Sequence, residues 1–237
     1  LVWGELPGSY EFCHDMLHHA MNAMLAFIRR SYNHPSIIAW VPLNESWGVR
    51  DIYANRQQQA AARMLTQLCR AADDTRLVSA NDGWEQTETD IFALHDYAAS
   101  GSVLRIHFAS REAVEQTGCA GRMACAGGVE ITGKEAFVVS EYGGIASRIK
   151  GEQQDIAGMS TWGYHDKVED DASFFTRYQE LTDAIREIPY CVGYCYTQLT
   201  DVMQEINGLL TPNREAKFCV ARIREINRNP EGFNQEW

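Results

Sequence analysis

The chain has 237 residues, with 21 Lys and Arg against 32 Asp and Glu, a formal charge of −11. Hydrophobic residues make up 45% and charged residues 22%, the balance of a globular chain that buries a sizeable core, which excludes a disordered tail, a collagen-like repeat and a disulfide miniprotein. The acidic excess argues against a nucleic-acid partner, whose phosphates need clustered Lys and Arg, and no apolar run approaches the roughly 20 residues that cross a bilayer, so no membrane partner is expected.

Leu1-Val2-Trp3 reads as a strand that stops at Gly4-Glu5-Leu6-Pro7-Gly8. This opening has no Met and none of the basic and long apolar regions of a signal peptide, so residue 1 is expected to lie inside a longer chain. Residues 10–31 place Phe12, Met16, Ala20, Ala23 and Phe27 on one face at helical spacing. Asn33-His34-Pro35-Ser36 is a turn. The apolar run 37–43 is a strand buried on both sides, with its end or a bulge at Pro42. Asp51 is the expected cap of a helix through residue 72, with Ala60, Met64, Leu68 and Ala71 along one face.

Residues 77–79 form a short strand before Asn81-Asp82-Gly83-Trp84, and 91–94 another, ending at His95-Asp96-Tyr97. A helix is predicted over 103–115, and five Gly make 118–133 a loop. Residues 136–139 form a strand ending at Ser140-Glu141-Tyr142-Gly143-Gly144, and a long loop with Trp162 follows. Asp170 or Asp171 caps a helix carrying Phe174, Tyr178, Leu181 and Ile185; the last strand is 192–199 and the last helix 214–228. Six strands separated mostly by helices imply a parallel sheet. A closed (β/α)8 barrel needs eight. The expected fold is therefore α/β, a TIM-type barrel represented by its strands three to eight, with residues 1–237 forming a single barrel domain truncated at its N-terminus. The open strand edges invite pairing with another chain, so a homo-oligomer is expected.

Seven Cys, an odd number without a tight framework or zinc-finger spacing, read as reduced thiols. With the acidic charge they lean towards a cytoplasmic setting. His18-His19 has no carboxylate at ligand spacing and reads as surface, and Asp73-Asp74 and Glu169-Asp170-Asp171 read as caps or solvated faces. His34 reads as part of its turn.

Strand after strand ends in polar side chains: Glu5, Asn44-Glu45, Asn81-Asp82, His95-Asp96-Tyr97, Ser140-Glu141 and Gln198-Thr200-Asp201. In parallel α/β folds the ligand lies at those ends. Carboxylates with Trp47, Trp84 and Trp162 suit a sugar, whose hydroxyls need polar partners while its C–H face packs on an indole. Glu45 and Glu141 stand out because each directly follows an apolar strand. Such a pair divides the labour of cleaving a glycosidic bond, one protonating the leaving oxygen, the other attacking the anomeric carbon or activating water. Asn44 beside Glu45 is placed to donate to a sugar hydroxyl.

Asn33-His34-Pro35-Ser36-Ile37-Ile38-Ala39-Trp40-Val41-Pro42-Leu43-Asn44-Glu45-Ser46-Trp47-Gly48 resembles the acid/base segment of glycoside hydrolase family 2, the family of β-galactosidases, β-glucuronidases and β-mannosidases. Phe137-Val138-Val139-Ser140-Glu141-Tyr142-Gly143-Gly144 resembles its nucleophile segment. Residues 194–201 with 204–210 resemble its eighth strand and following loop, and Leu1-Val2-Trp3-Gly4-Glu5-Leu6-Pro7 its third strand.

The resemblance implies a retaining β-glycosidase, β-galactosidase-like, working by double displacement, with Glu141 as nucleophile, Glu45 as general acid/base and Asn44 on the 2-hydroxyl. His95, Tyr97 and Trp162, with Trp47, Asn81 and Trp84, complete the expected substrate contacts. It implies a β-glycoside or oligosaccharide as partner, and further N-terminal domains of the parent chain. No Asn-x-Lys stands near the last strand, which disfavours a glucuronide. Pro7 stands where magnesium-using relatives carry a His two residues after a Glu, so no metal and no cofactor is expected. The alternative is a non-catalytic carbohydrate-binding or inactive fragment of such an enzyme.

Overall fold

The computed structural model describes residues 1–147 and 160–228. In chain order the elements are β1 (Val2–Glu5), α1 (His14–Ser31), β2 (Ile37–Val41), α2 (Arg56–Ala72), β3 (Leu77–Val78), β4 (Ile91–Asp96), α3 (Gly101–His107), α4 (Arg111–Thr117), β5 (Ala136–Gly143), β6 (Ile145–Ser147), β7 (Tyr164–Val168), α5 (Asp171–Arg186), β8 (Cys191–Thr197) and α6 (Val220–Arg228). The chain divides into two compact units. The first comprises Leu1–His95 and Ser110–Ser140; the second comprises Asp96–Ala109 and the chain from Glu141 onward.

In the first unit β1, β2 and β3 form a parallel sheet in sequence order, with Trp3 opposite Ala39 and Ala39 opposite Leu77. Parallel neighbours need crossover connections, and α1 and α2 supply them. Small and branched side chains fill one side of the strands: Ala39, Ile91, Ala93 and Val138 cluster with Trp3 against them. On the other side Trp40 packs with Met24, Ile28, Cys69 and Val78 beneath the helices. β2 ends at Val41, just before Pro42, which cannot donate to a ladder.

Helix phase departs from the periodicity. In α1 the buried seam runs through Met16, Met24 and Ile28, and Ala23 is exposed. In α2 the expected face is largely outside: Ala60, Met64 and Ala71 are exposed, whereas Gln58, Gln59, Ala61, Ala62, Leu65, Thr66 and Cys69 are buried. The reason is polar satisfaction. The Gln59 amide donates to the carbonyls of Ile52, Tyr53 and Gly127 at 3.0–3.2 Å, so a side chain that counts as hydrophilic is at home inside. The cap of α2 is Asn55, not Asp51: Asn55 Oδ1 accepts from the amides of Gln57 and Gln58.

The helix expected over 103–115 is two helices. Ser110 interrupts it and caps α4 by accepting from Ala113 N. The last helix begins at Val220 rather than 214, because Arg214 is left-handed (φ 66°) in a turn closed by Thr211 N donating to Glu215 O.

In the second unit α5 buries Phe174, Tyr178, Leu181 and Ile185, as its spacing predicts, behind an Asp170 cap that accepts from Ser173 N at 2.7 Å. Phe174 stacks on Phe218 with centroids 3.6 Å apart, and Tyr178 meets Tyr196 edge-on. The segment expected as loop contains a parallel pair, β6 and β7, with Ile145 opposite Tyr164 and Ser147 opposite Val168. Three-residue β6 lies a single residue beyond β5, and β7 carries charged side chains, so neither shows an apolar run. β5 runs from Ala136 in the first unit into Glu141–Gly143 of the second. No disulfide joins any two cysteines among the described residues.

Candidate active site

Glu45 sits on a turn that the backbone would not choose unaided. Glu45 (φ 49°) and Ser46 (φ 55°) are both left-handed, a conformation that costs a non-glycine residue on the order of 1 kcal/mol or more. The cost is met by bonds from the turn after β3. Glu45 N donates to Asp82 O at 2.8 Å, and Ser46 N to Asn81 Oδ1 at 2.9 Å. Ser46 Oγ donates to buried Glu85 at 2.6 Å, and Asn81 Nδ2 donates to Ser46 Oγ and to Glu85 O, each at 2.9 Å. Arg122 closes the network with an ion pair to Glu85 at 2.9 Å. Gln86, wholly buried, ties the turn to β4 by donating to the carbonyls of Asn81, Trp84 and Ala93.

The Glu45 carboxylate meets a histidine. His95 Nδ1 lies 2.8 Å from Glu45 Oε1, and on the other side of the ring Nε2 is 3.6 Å from Asp82 Oδ2. Asp82 is in turn held by Ser140 Oγ, which donates to Oδ1 at 2.6 Å. Gly83 makes room for this arrangement. Its φ is +89°, and a Cβ there would lie 2.3 Å from the imidazole.

In the second unit Glu141 Oε2 accepts from the Tyr97 hydroxyl. Burial, and then the Glu141 charge, hold the Tyr97 phenol far above its ordinary range, so it stays a proton donor. The Tyr97 ring stacks on Tyr164, centroids 3.5 Å apart and nearly parallel, and Trp162 meets Tyr164 edge-on at 5.9 Å. Gly144 (φ 57°) permits the stack, since a Cβ there would lie 2.3 Å from the Tyr164 ring and 3.0 Å from Tyr97. His165 Nε2 contacts the Tyr97 carbonyl.

The first unit therefore brings together Asn44, Glu45, Asn81 and His95, and the second brings together Glu141, Tyr97 and, through Tyr164, Trp162. Asn44 pairs with Asp82 by backbone, and its buried Oδ1 has no hydrogen-bond partner among the described residues. Asn81, expected to touch substrate, is completely buried, and its amide is committed to Ser46 and Glu85; it supports the turn from beneath. Trp47 has the Arg50 guanidinium 3.8 Å above its ring and Tyr10 at its edge, and Trp84 carries Arg122 at 4.1 Å. Trp162 is 45% exposed.

Sequence reasoning missed Ser46, Glu85, Gln86, Arg122 and Tyr164. Ser46 and Glu85 flank residues that were found, and a polar pair beside each strand end is the signal that points to them. Tyr164 carries no such signal.

The sequence profile of "Glycosyl hydrolases family 2, TIM barrel domain" matches residues 11–161. No curated protein matches the chain. Among solved structures, the β-galacturonidase of Eisenbergiella tayi bound to galacturonate is similar at TM-score 0.68 and 16% identity, covering 96% of this chain and 40% of that one. The β-glucuronidase 2 of Bacteroides uniformis covalently bound to cyclophellitol-6-carboxylate aziridine gives 0.62 and 16%, with 91% and 27% covered. The β-D-glucuronidase of Dictyoglomus thermophilum gives 0.62 and 16%, with 94% and 37% covered. The chain thus spans between a quarter and two-fifths of these proteins, and the shared fold is the α/β fold of part of a TIM barrel. The chain belongs to glycosyl hydrolase family 2, of whose TIM-barrel domain it is a part.

Proposed function

We propose that the protein is a retaining β-glycosidase that removes terminal β-linked sugars by double displacement, with Glu141 as nucleophile and Glu45 as general acid/base. The observation that carries this is the setting of the two strand-end glutamates. Glu45 stands on a strained, fully bonded turn against an imidazole, and Glu141 accepts a hydrogen bond from a buried phenol.

In the first step Glu141 attacks the anomeric carbon while Glu45 gives its proton to the departing oxygen. Tyr97 steadies the Glu141 carboxylate, and its donated bond must weaken as the Glu141 charge passes into the new ester. In the second step Glu45 takes a proton from water, which attacks the same carbon and releases Glu141. Two inversions give retention. Asn44 is assigned to the 2-hydroxyl, and Trp47, Trp84 and Trp162 to the sugar and leaving-group faces.

The sugar is proposed to be neutral and galactose-like. After β8, Lys217 Nζ is buried and held by both oxygens of Asp201 at 2.9–3.0 Å and by Ile206 O. That ammonium is committed within the fold rather than offered to a uronate carboxylate. Assay of 4-nitrophenyl β-D-galactoside, mannoside, glucuronide and galacturonide with the full-length protein tests the reading. The galactoside is expected to be hydrolysed fastest, and Glu141→Gln to remove the activity. Added azide is expected to rescue Glu141→Gly as the α-glycosyl azide, and Glu45→Gly as the β-glycosyl azide. Turnover unaffected by Glu141→Gln overturns the assignment. Sugar binding without turnover of any member supports a non-catalytic role instead.

A further inference from the structure

His95 stands between two carboxylates with only 1% of its side chain exposed. Its surroundings leave the ring little freedom. Gly83 lies against it so closely that a single methyl would strike the imidazole, and the His95 amide and carbonyl are held by Gly83 O and by the Cys119 thiol. A ring this enclosed is poorly placed to grip a sugar hydroxyl. It is well placed to act on the group it touches.

The two ring nitrogens are distinct. Nε2 faces Asp82 Oδ2 at 3.6 Å, longer than a full hydrogen bond but close enough for the carboxylate to favour a proton on that nitrogen. Asp82 is itself anchored by Ser140 Oγ at 2.6 Å and by its backbone bonds to Glu45 and Leu43. With the proton on Nε2, Nδ1 presents a lone pair to Glu45 Oε1 at 2.8 Å.

We infer that His95 is the positioning residue of the acid/base, its tautomer set by Asp82 so that Nδ1 accepts from the protonated Glu45 carboxyl. This rests on the assignment of Glu45 made above. The arrangement serves both halves of the reaction. Before cleavage it holds the Glu45 proton in a fixed place. During cleavage that proton moves to the leaving oxygen as the C–O bond breaks and the bond to Glu141 forms. Afterwards the Glu45 carboxylate faces the Nδ1 lone pair, a repulsive contact that strengthens it as the base towards the incoming water. The water's proton then returns to Glu45 and its oxygen bonds to carbon as the Glu141 ester breaks.

Leaving-group dependence tests this. An aryl oxide that departs unaided needs little acid help, and a poor one needs it fully. The experiment compares kcat/KM for a 2,4-dinitrophenyl and a 4-methylphenyl β-glycoside of the sugar the wild type prefers, in the full-length protein carrying His95→Ala, His95→Asn, His95→Gln or Asp82→Asn. For His95→Ala the expected loss is about 100-fold on the methylphenyl substrate and under about 10-fold on the dinitrophenyl one, the range in which general acid help operates. His95→Asn, whose amide occupies the place of Nδ1, is expected to recover most of the difference, and His95→Gln is not. Asp82→Asn is expected to lose in the same selective direction, about 10-fold.

Equal losses on both substrates in every variant overturn the inference and leave His95 a structural residue. If His95→Ala does not fold, as judged by circular dichroism, the Asn and Asp82 variants decide by the same ratio. A wild type that hydrolyses neither substrate, or whose Glu45→Ala variant shows no leaving-group selectivity, overturns the glycosidase assignment itself, an outcome separate from the loss of His95's role alone.

Discussion

Tyr97 shows how much a single residue's setting carries. Its hydroxyl donates to Glu141, and burial together with the Glu141 charge keeps the phenol protonated across any working pH. A raised phenol holds its proton, so Tyr97 contributes no alkaline limb to a pH–rate profile. Tyr97→Phe removes one donor from the proposed nucleophile and is expected to lower kcat about 100-fold, with KM much less affected. An unchanged kcat contradicts the contact. At this scale the strand-end residues singled out in the sequence fall into contact within each unit, Glu45 with His95 and Tyr97 with Glu141. A polar residue buried to hold a turn is not legible in the same way. Asn81 looked like a ligand contact and is a buttress, because nothing in one sequence distinguishes an amide aimed at solvent from one aimed at Ser46.

Elements were legible where apolar spacing alone decides their burial. α5 obeys its pattern residue by residue. α2 does not, because buried Gln58 and Gln59 are satisfied by hydrogen bonds that hydropathy ignores. β6 and β7 escaped because short, charged strands carry no period-two signal.

The end of α2 also supplies a stability prediction. Asp73 is its C-cap residue, nearly wholly buried, and its carboxylate accepts from Trp40 Nε1, from the amide and hydroxyl of Thr75, and from Arg76. Burial works to raise this carboxyl, and those bonds outweigh it and hold it down at about 2. A carboxyl depressed in the folded state stabilises above its unfolded value and loses that contribution as pH falls through the folded one. Asp73→Asn is therefore expected to destabilise by on the order of 2 kcal/mol at neutral pH, with the gap closing between about pH 4 and pH 2. Urea melts across that range read it directly. A gap independent of pH contradicts the ionised carboxylate as its source.

The scale of the whole molecule turns on the order of elements. Alternating strands and helices, with polar residues at successive strand ends, specify a parallel α/β fold before any side-chain contact is known, and the match of residues 11–161 to the barrel domain of glycosyl hydrolase family 2 agrees with it. The long segments around Glu45 and Glu141 carried that identity; the dipeptide Asn44-Glu45 alone is too short to do so. The sugar proposed above depends instead on which cations the fold leaves uncommitted, and Lys217 is committed to Asp201.

The proposed retaining mechanism stands on Glu141 as its nucleophile. The most direct measurement is to trap it. The full-length protein is treated with the 2,4-dinitrophenyl 2-deoxy-2-fluoro-β-glycoside of the preferred sugar, whose electron-poor ring slows release of the enzyme-bound sugar more than its formation. Digestion and mass spectrometry then locate the label. One fluoroglycosyl group per chain is expected, on the peptide carrying Glu141, with the β anomer as the first product seen by proton NMR of unlabelled turnover. A label on any other residue, or an α anomer formed first without a trapped ester, contradicts it.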